Sequence, residues 1–316
     1  MTQMKGRDIL TLAEFSGEDI IKILNLADRF KEERKRKIFK KLLINKTLAM
    51  IFQKPSTRTR VSFDVAMADL GGNTIFLNSN EIQLSRGETI RDTAKSLTCY
   101  VDVIVARVYN HSELEELANY ASIPIINGLS DIYHPTQVLA DLQTIREKKG
   151  RLEGLKLAWI GDGNNVCNTL LIGCSKTGIN MLVASPPNYK PNPAAYSLAK
   201  RESEKKGGKI KVIEDAEVAI MDADIVVTDT FISMGLDSQR VERLKTFLPR
   251  YQVNNKLMSR AKSDAIFMHC LPSHRGEEVT DEVIDGPRSV VWDETENRLH
   301  SQKALLAYLL INEDSF

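Results

Sequence analysis

The chain lacks any stretch approaching the ~18 consecutive apolar residues of a membrane-spanning helix, and no apolar segment follows Met1 to Arg7 as a secretory leader requires. Those absences give the expectation of a cytoplasmic protein with no membrane partner. Cysteine is scarce: Cys99, Cys167, Cys174 and Cys270 are widely spaced and form no C-x-x-C pair, which argues against a zinc framework and against a secreted disulfide scaffold. They read as free thiols. Excess charge is missing too. With 43 Lys plus Arg against 42 Asp plus Glu, a formal charge of +1 offers no field for a nucleic acid.

What is present is ordinary globular material, 42% hydrophobic and 27% charged, in 316 residues. Domains cluster near ~100–150 residues, so this length predicts two of similar size with a cleft between them. Leu12–Lys31 patterns as an amphipathic helix, and the run Lys31–Lys37 reads as its solvated end. A buried strand follows at Leu48–Phe52, then KPSTRTR, then a helix with Phe63, Ala66, Met67 and Leu70 on one face, stopped by Gly71-Gly72.

Alternation continues with strands at Thr74–Leu77, Val101–Ala106 and Ile123–Asn127 and helices near Thr89–Leu97, Ser112–Tyr120 and from Pro135 onward. Lys148-Lys149-Gly150 makes a polar break. A second series of strands follows at Leu155–Ile160, Ile179–Ala184, Lys209–Ile213, Ile225–Thr228, Ala265–His269 and Ser289–Trp292. This β-α repetition implies an α/β fold: two doubly wound parallel-sheet domains with the active site in the cleft between them. The division expected is residues 1–148 with a C-terminal helix at 299–316 packing back on it, and residues 149–298.

Open parallel sheets bind ligands beyond the carboxyl ends of their strands, and the unusual residue clusters sit there. Pro55–Arg60 joins a strand to a helix, where first-turn N–H groups, hydroxyls and a guanidinium can converge on an anion such as phosphate. The same residues also suit a plain Ser N-cap with exposed arginines. Arg107, at a strand end, fits either an anion site or a surface ion pair. His134-Pro135 opens a helix, with Pro favoured at the first position. His134 then faces the cleft as a catalyst or serves as a cap, and Gln137 adds a polar face one turn on.

Gly161-Asp162-Gly163-Asn164-Asn165 is a broken dinucleotide loop, because Val166 replaces the third glycine and no acidic residue ends the next strand. Asn164 and Asn165 still offer amides to a small polar ligand. Asp229, past a strand end, suits a cationic substrate, and the Gly-containing segment Thr230–Gly235 suits a closing loop. Cys270 falls at a strand tip with Asp229 expected on a neighbouring strand. Because adjacent strand residues point to opposite faces, His269 does not activate Cys270, and the thiol reads as a positioning or proton-handling group.

Taken in order, STRTR at 56–60, HPTQ at 134–137, DxxxSMG at 229–235 and HCLP at 269–272 resemble the transcarbamoylases, and the last two point to the ornithine branch of that family. The resemblance covers nearly the whole chain, including Gln83 in IQLSRGETIRDTA, GDGNN at 161–165, VTDEVIDGP and WDETENRLH. It implies transfer of the carbamoyl group of carbamoyl phosphate to the side-chain amine of L-ornithine, giving citrulline and phosphate, in arginine metabolism, whether arginine biosynthesis or breakdown. No metal or organic cofactor is needed.

By the same resemblance Ser56, Thr57, Arg58, Thr59 and Arg107 would hold the phosphate. His134 and Gln137, with Arg58 and Thr59, would address the carbamoyl group. Cys270, Leu271 and Arg298 would lie against carbamoyl phosphate, and Gln83 would reach in from a neighbouring subunit of a homotrimer or an assembly of trimers. Asn165, Asp229, Ser233 and Met234 would meet ornithine. Arg58, His134, Asp229 and Cys270 would carry the chemistry. Rival readings are transfer to aspartate, acetylornithine or putrescine, a nucleotide-dependent dehydrogenase, and a non-catalytic phosphate binder.

Overall fold

The computed structural model describes residues 4–233 and 235–316. The chain divides into two compact units, Met1–Gln143 with Glu296–Phe316, and Thr144–Thr295. Along the first come α1 (Gly17–Lys35), β1 (Thr47–Phe52), α2 (Thr57–Leu70), β2 (Asn73–Asn78), α3 (Ile90–Thr98), β3 (Val103–Arg107), α4 (His111–Tyr120), β4 (Ile125–Leu129) and α5 (Pro135–Lys149). All strand pairs are parallel, in the order β2-β1-β3-β4. β1 and β3 are almost wholly buried, as parallel strands covered by helices on both faces must be, which is why they read as continuous apolar runs.

The second unit carries β5 (Lys156–Ile160), α6 (Asn165–Thr177), β6 (Asn180–Ala184), α7 (Pro193–Lys205), β7 (Ile210–Ile213), α8 (Ala216–Ile220), β8 (Ile225–Val227), α9 (Arg240–Phe247), α10 (Asn255–Met258), β9 (Ile266–Met268) and α11 (Asp281–Ile284). Its parallel sheet runs β7-β6-β5-β8-β9. The last long helix, α12 (Val291–Leu310), follows. Both sheets are α/β with parallel strands, as the alternation predicts. Among the described residues no helix is long and apolar enough to cross a membrane.

Several boundaries differ from the sequence reading. α1 begins at Gly17 rather than Leu12, because Ser16 and Asp19 form a reciprocal capping box, each side chain accepting the other's backbone N–H at 3.0 Å. Its basic end is not all solvated. Lys31 is buried and donates to Asn297 Oδ1 at 2.8 Å, and Arg34 pairs with Asp69, which Lys303 also reaches at 3.1 Å. Ser289–Trp292 is no strand. Ser289 makes one isolated bridge to Phe267, and the chain enters α12 at Val291, helped by Asp293 and Glu294 in the first turn.

In each sheet the first strand has neighbours on both sides, so the chain reverses direction of growth beside it. The reversal lies between β1 and β3 in one unit and between β5 and β8 in the other. Helices leave such neighbouring strands toward opposite faces, opening a crevice at the carboxyl ends. Phe52 pairs with Arg107 across the first reversal, and Trp159 with Val227 across the second. The N-terminal segment adds to the edge at β4: Ile9 donates to Ile125 O and accepts from Asn127 N, both at 2.8 Å.

The second unit's core is tightest around Phe247, fully buried and stacked on Phe231 with centroids 4.5 Å apart, with Tyr189 and Tyr251 against its other sides. Phe247→Ala should therefore lower the unfolding free energy by about 3–5 kcal/mol, read from chemical denaturation followed by circular dichroism.

Candidate active site

In the first unit the site is built on the short connection from β1 to α2. Ser56 caps α2, its hydroxyl accepting the Thr59 N–H at 3.3 Å, and the first turn carries no acidic residue. Free N–H groups of that turn and the helix dipole therefore favour an anion. Two residues along a helix turn through about 200°, so Arg58 and Arg60 point in opposite directions. Arg60 lies over the Phe76 ring, 3.7 Å from its centre. Arg58 stands on the side of His134, whose protonation it opposes.

His134 is buried immediately before Pro135, the first residue of α5. Burial, and then the charges of Arg298, Arg107 and Arg58, hold its pKa well below the ordinary 6.5. At neutral pH it is an uncharged imidazole among three guanidiniums. Arg298 fixes the neighbouring donors: it gives one hydrogen bond to Gln137 Oε1 at 2.8 Å and one to Thr59 Oγ1 at 2.6 Å. Gln137 in turn donates to Asp141 at 2.8 Å. A cavity of about 540 Å³ opens at the start of α2, lined by Lys54, Ser56, Thr57, Arg60, Phe76 and Asn78; Arg58, His134, Gln137 and Arg298 are not among its lining residues.

In the second unit Asp229 follows β8 and Cys270 follows β9, its neighbour. The thiol donates to Asp229 Oδ1 at 3.2 Å. The other carboxylate oxygen accepts from Asn164 Nδ2 at 2.7 Å, while Asn164 Oδ1 caps α6 through the Val166 and Cys167 N–H groups. Asn164 and Asn165 thus sit at a helix start beside a buried carboxylate. Behind them Arg243 pairs with Asp162, whose carboxyl is pushed up to about 7 by burial and, against Arg243, by the Asp229 charge. The glycine at 163 serves the chain rather than a nucleotide, since an added Cβ there would meet Pro191 N at 2.2 Å.

His269 is fully buried, and both ring nitrogens are taken. Nδ1 accepts the Leu271 N–H at 2.9 Å, so the ring proton sits on Nε2 and goes to Glu278 Oε1 at 3.2 Å. The histidine therefore holds no bond to spare for Cys270. Asp229, His269 and Cys270 bring ligand-type atoms within 4.8 Å of one another, as do His274, Glu277 and Glu278. The first trio is hydrogen-bonded as it stands, and Arg240 pairs with Glu277 in the second.

The model of the aspartate/ornithine carbamoyltransferase carbamoyl-P binding domain matches residues 7–147, and that of the family's Asp/Orn binding domain matches 153–309. The chain belongs to the aspartate/ornithine carbamoyltransferase family. An ornithine carbamoyltransferase of Pyrococcus horikoshii is 54% identical over 310 residues, 98% of each chain, and one of Carboxydothermus hydrogenoformans is 54% identical over 306, 97% of this chain and 98% of its own. The solved ornithine carbamoyltransferase of Pyrococcus furiosus superposes with a TM-score of 0.95 at 52% identity, over 98% of this chain and 99% of its own.

Of the carbamoyltransferase motif residues, Ser56, Thr57, Arg58, Thr59, Arg107, His134, Gln137 and Arg298 fall in the first unit, and Asn165, Asp229, Ser233, Cys270 and Leu271 in the second. Gln83 stands apart, exposed on the 3₁₀ turn Gln83–Arg86 and outside the cavity lining. Met234 lies outside the described residues. The sequence reading did not single out Lys54, whose ammonium is nearly buried 4.5 Å above the Tyr109 ring and whose pKa burial and then Arg107 lower. Its only signal is its place two residues before Ser56. Arg243 and Glu278 gave no signal, because each becomes meaningful only through a partner brought close by folding.

A depressed histidine pKa fixes a pH dependence. Below about 6.5 the unfolded chain takes up a proton at His134 while the folded protein does not, so this contribution to stability is lost as pH falls from about 6.5 toward the folded pKa. Wild type should therefore lose more denaturation midpoint than His134→Asn between about pH 7.5 and about pH 5.5. Equal losses would mean that His134 is protonated in the folded protein.

Proposed function

We propose that this carbamoyltransferase moves the carbamoyl group of carbamoyl phosphate to the side-chain amine of L-ornithine, releasing L-citrulline and phosphate. The observation that carries the reading is the first unit's neutral His134 among Arg58, Arg107 and Arg298, at a sheet reversal beside a helix start lacking acidic residues. That arrangement suits the highly charged phosphate of an acyl phosphate. The ornithine carbamoyltransferases similar to the chain over its whole length support the choice of acceptor amine.

Ser56, Thr57, Thr59, Arg58 and Arg107 bind the phosphate through first-turn N–H groups, hydroxyls and guanidiniums. His134 and Gln137, with Arg58 and Thr59, hold the carbamoyl group. The neutral amine attacks the carbamoyl carbon, the carbonyl oxygen becomes an oxyanion, and the C–O bond to phosphate then breaks as the carbonyl re-forms, the leaving phosphate taking the second proton from nitrogen. Donors already aimed at that oxygen stabilise its charge as it develops and need no rearrangement. Arg298 orients Thr59 and Gln137, to which it is bonded. Cys270 and Leu271, with Arg298, complete the carbamoyl phosphate site.

Asn165, Asp229, Ser233 and Met234 receive ornithine. Its ammonium must lose a proton before attack, and the carboxylate of Asp229, which accepts a hydrogen bond from the Cys270 thiol, is the group able to take it. The domain roles follow the motif residues: Met1–Gln143 with Glu296–Phe316 for carbamoyl phosphate, Thr144–Thr295 for ornithine. A homotrimer, in which exposed Gln83 serves a neighbour's site, completes the reading. Four cysteines outside any disulfide suit a reducing cytoplasm, and a Pyrococcus furiosus relative named as the anabolic enzyme supports arginine biosynthesis.

Citrulline formation with ornithine, aspartate, acetylornithine and putrescine as acceptors tests the substrate. Activity should be confined to ornithine, and turnover of another amine in its place would discard this acceptor. Arg58→Ala should lower kcat by ~10²–10³, the cost of removing one oxyanion donor, at wild-type fold. Cys270→Ser should raise the ornithine KM about tenfold, the scale of a hydrogen bond to a charged group, and shift the pH profile while sparing carbamoyl phosphate. An unchanged profile would remove the thiol from amine handling.

A further inference from the structure

Glu278 is the most deeply buried carboxylate near the second unit's site, and its hydrogen bonds go to His269 and His274. Burying an ionised group is costly unless its bonds do something an apolar side chain would not. Its backbone is anchored: Glu278 O accepts from Val253 N at 2.9 Å, and the next residue, Val279, bridges to Val253 and Arg275. The side chain has two arms. Oε1 accepts the His269 Nε2–H at 3.2 Å and also the backbone N–H of His274. Oε2 lies 3.7 Å from His274 Nδ1.

Oε2 makes no hydrogen bond at that distance, so both arms leave from Oε1: one ends on His269, which precedes Cys270, and the other on the N–H of His274, whose ring reaches the residue after Asp229. Through the first, His269 is oriented so that Nδ1 accepts the Leu271 N–H at 2.9 Å. Cys270 lies between those two residues, and Leu271 sits at φ +58, a left-handed backbone that a branched residue rarely adopts and that needs such a bond to persist. Through the second, His274 Nδ1 reaches Thr230 Oγ1 at 3.1 Å. Thr230 in turn gives its N–H to Asp229 Oδ1 at 2.8 Å, the oxygen that receives the Cys270 thiol.

We propose that Glu278 is the positioning residue that holds the Asp229–Cys270 pair in register, setting the thiol through His269 and the carboxylate through His274 and Thr230. The pair's geometry is then decided by a side chain that never meets substrate. The consequence for ornithine rests on the function proposed above; the positioning itself does not.

The test uses the full chain with Glu278→Ala, Glu278→Gln and wild type. Gln keeps one acceptor oxygen for His269 and loses the charge facing His274. Alkylation of Cys270 by iodoacetamide is followed by peptide mass spectrometry, with exposed Cys99 as internal reference. Removing the acceptor should free the thiol from Asp229, raising the Cys270 rate at least about fivefold in Ala and by a smaller factor in Gln, with Cys99 unchanged.

The ornithine KM should rise about tenfold in Ala with partial rescue in Gln, while the carbamoyl phosphate KM stays within about twofold. A folded Glu278→Gln protein with the wild-type Cys270 rate overturns the proposal, and this variant decides alone if Ala does not fold. Equal loss for both substrates, with no change at Cys270, overturns it as well, since that is what general destabilisation produces. A faster Cys270 with unchanged ornithine KM supports the positioning and instead sinks the assignment of this pair to ornithine.

Discussion

Arg298 gives one hydrogen bond to Thr59 and one to Gln137, and the anion site of the first unit depends on those two bonds. They tie the start of α2, the start of α5 and the interior of α12, three stretches far apart in sequence. A guanidinium suits this because its donors leave in fixed directions from a rigid plane. Its charge acts further, on His134, which burial first and then Arg298, Arg107 and Arg58 hold neutral. A neutral imidazole can donate from one nitrogen and accept at the other, which an imidazolium cannot.

In the second unit the same problem has the opposite sign. Asp229 is a buried carboxylate, and it is satisfied by neutral donors, the Asn164 amide, the Thr230 N–H and the Cys270 thiol, rather than by a guanidinium. The guanidinium available nearby, Arg243, is spent on Asp162 and on the Phe231 carbonyl. A carboxylate held by weak neutral donors keeps its charge available to an incoming cation, whereas one locked in a fork with arginine does not. The two units thus arrive at opposite local charges at the ends of parallel sheets that each reverse beside their first strand.

The fold was legible because its signals are local. Buried parallel strands read as apolar runs, α2 shows its 3.6-residue face, and Gly71 ends it at φ +83. The strand-end clusters were legible too, since STRTR and HCLP are compact in sequence. What escaped notice depends on partners distant along the chain. Lys31 looks like a solvated lysine until Asn297, 266 residues away, is beside it. The valines at 290 and 291 look like a strand until the acidic residues after them start a helix. Ser16 was passed over because apolar spacing alone carried the start of α1 back to Leu12, whereas the cap decides it.

The N-terminal segment that pairs with β4 has a bearing on how the protein can be handled. A sheet edge with open N–H and C=O groups is a template for another chain, and proteins guard such edges against aggregation. Here the guard is the backbone of Ile9, with Asp8 accepting the Ile125 N–H and Leu10 accepting from the Asn127 side chain. Asn127 also donates to the Tyr133 carbonyl, one residue before His134. Trimming the leading residues, or fusing a rigid partner against them, would thus expose an adhesive edge and loosen the support of His134 in the same stroke, so tags belong at the other terminus.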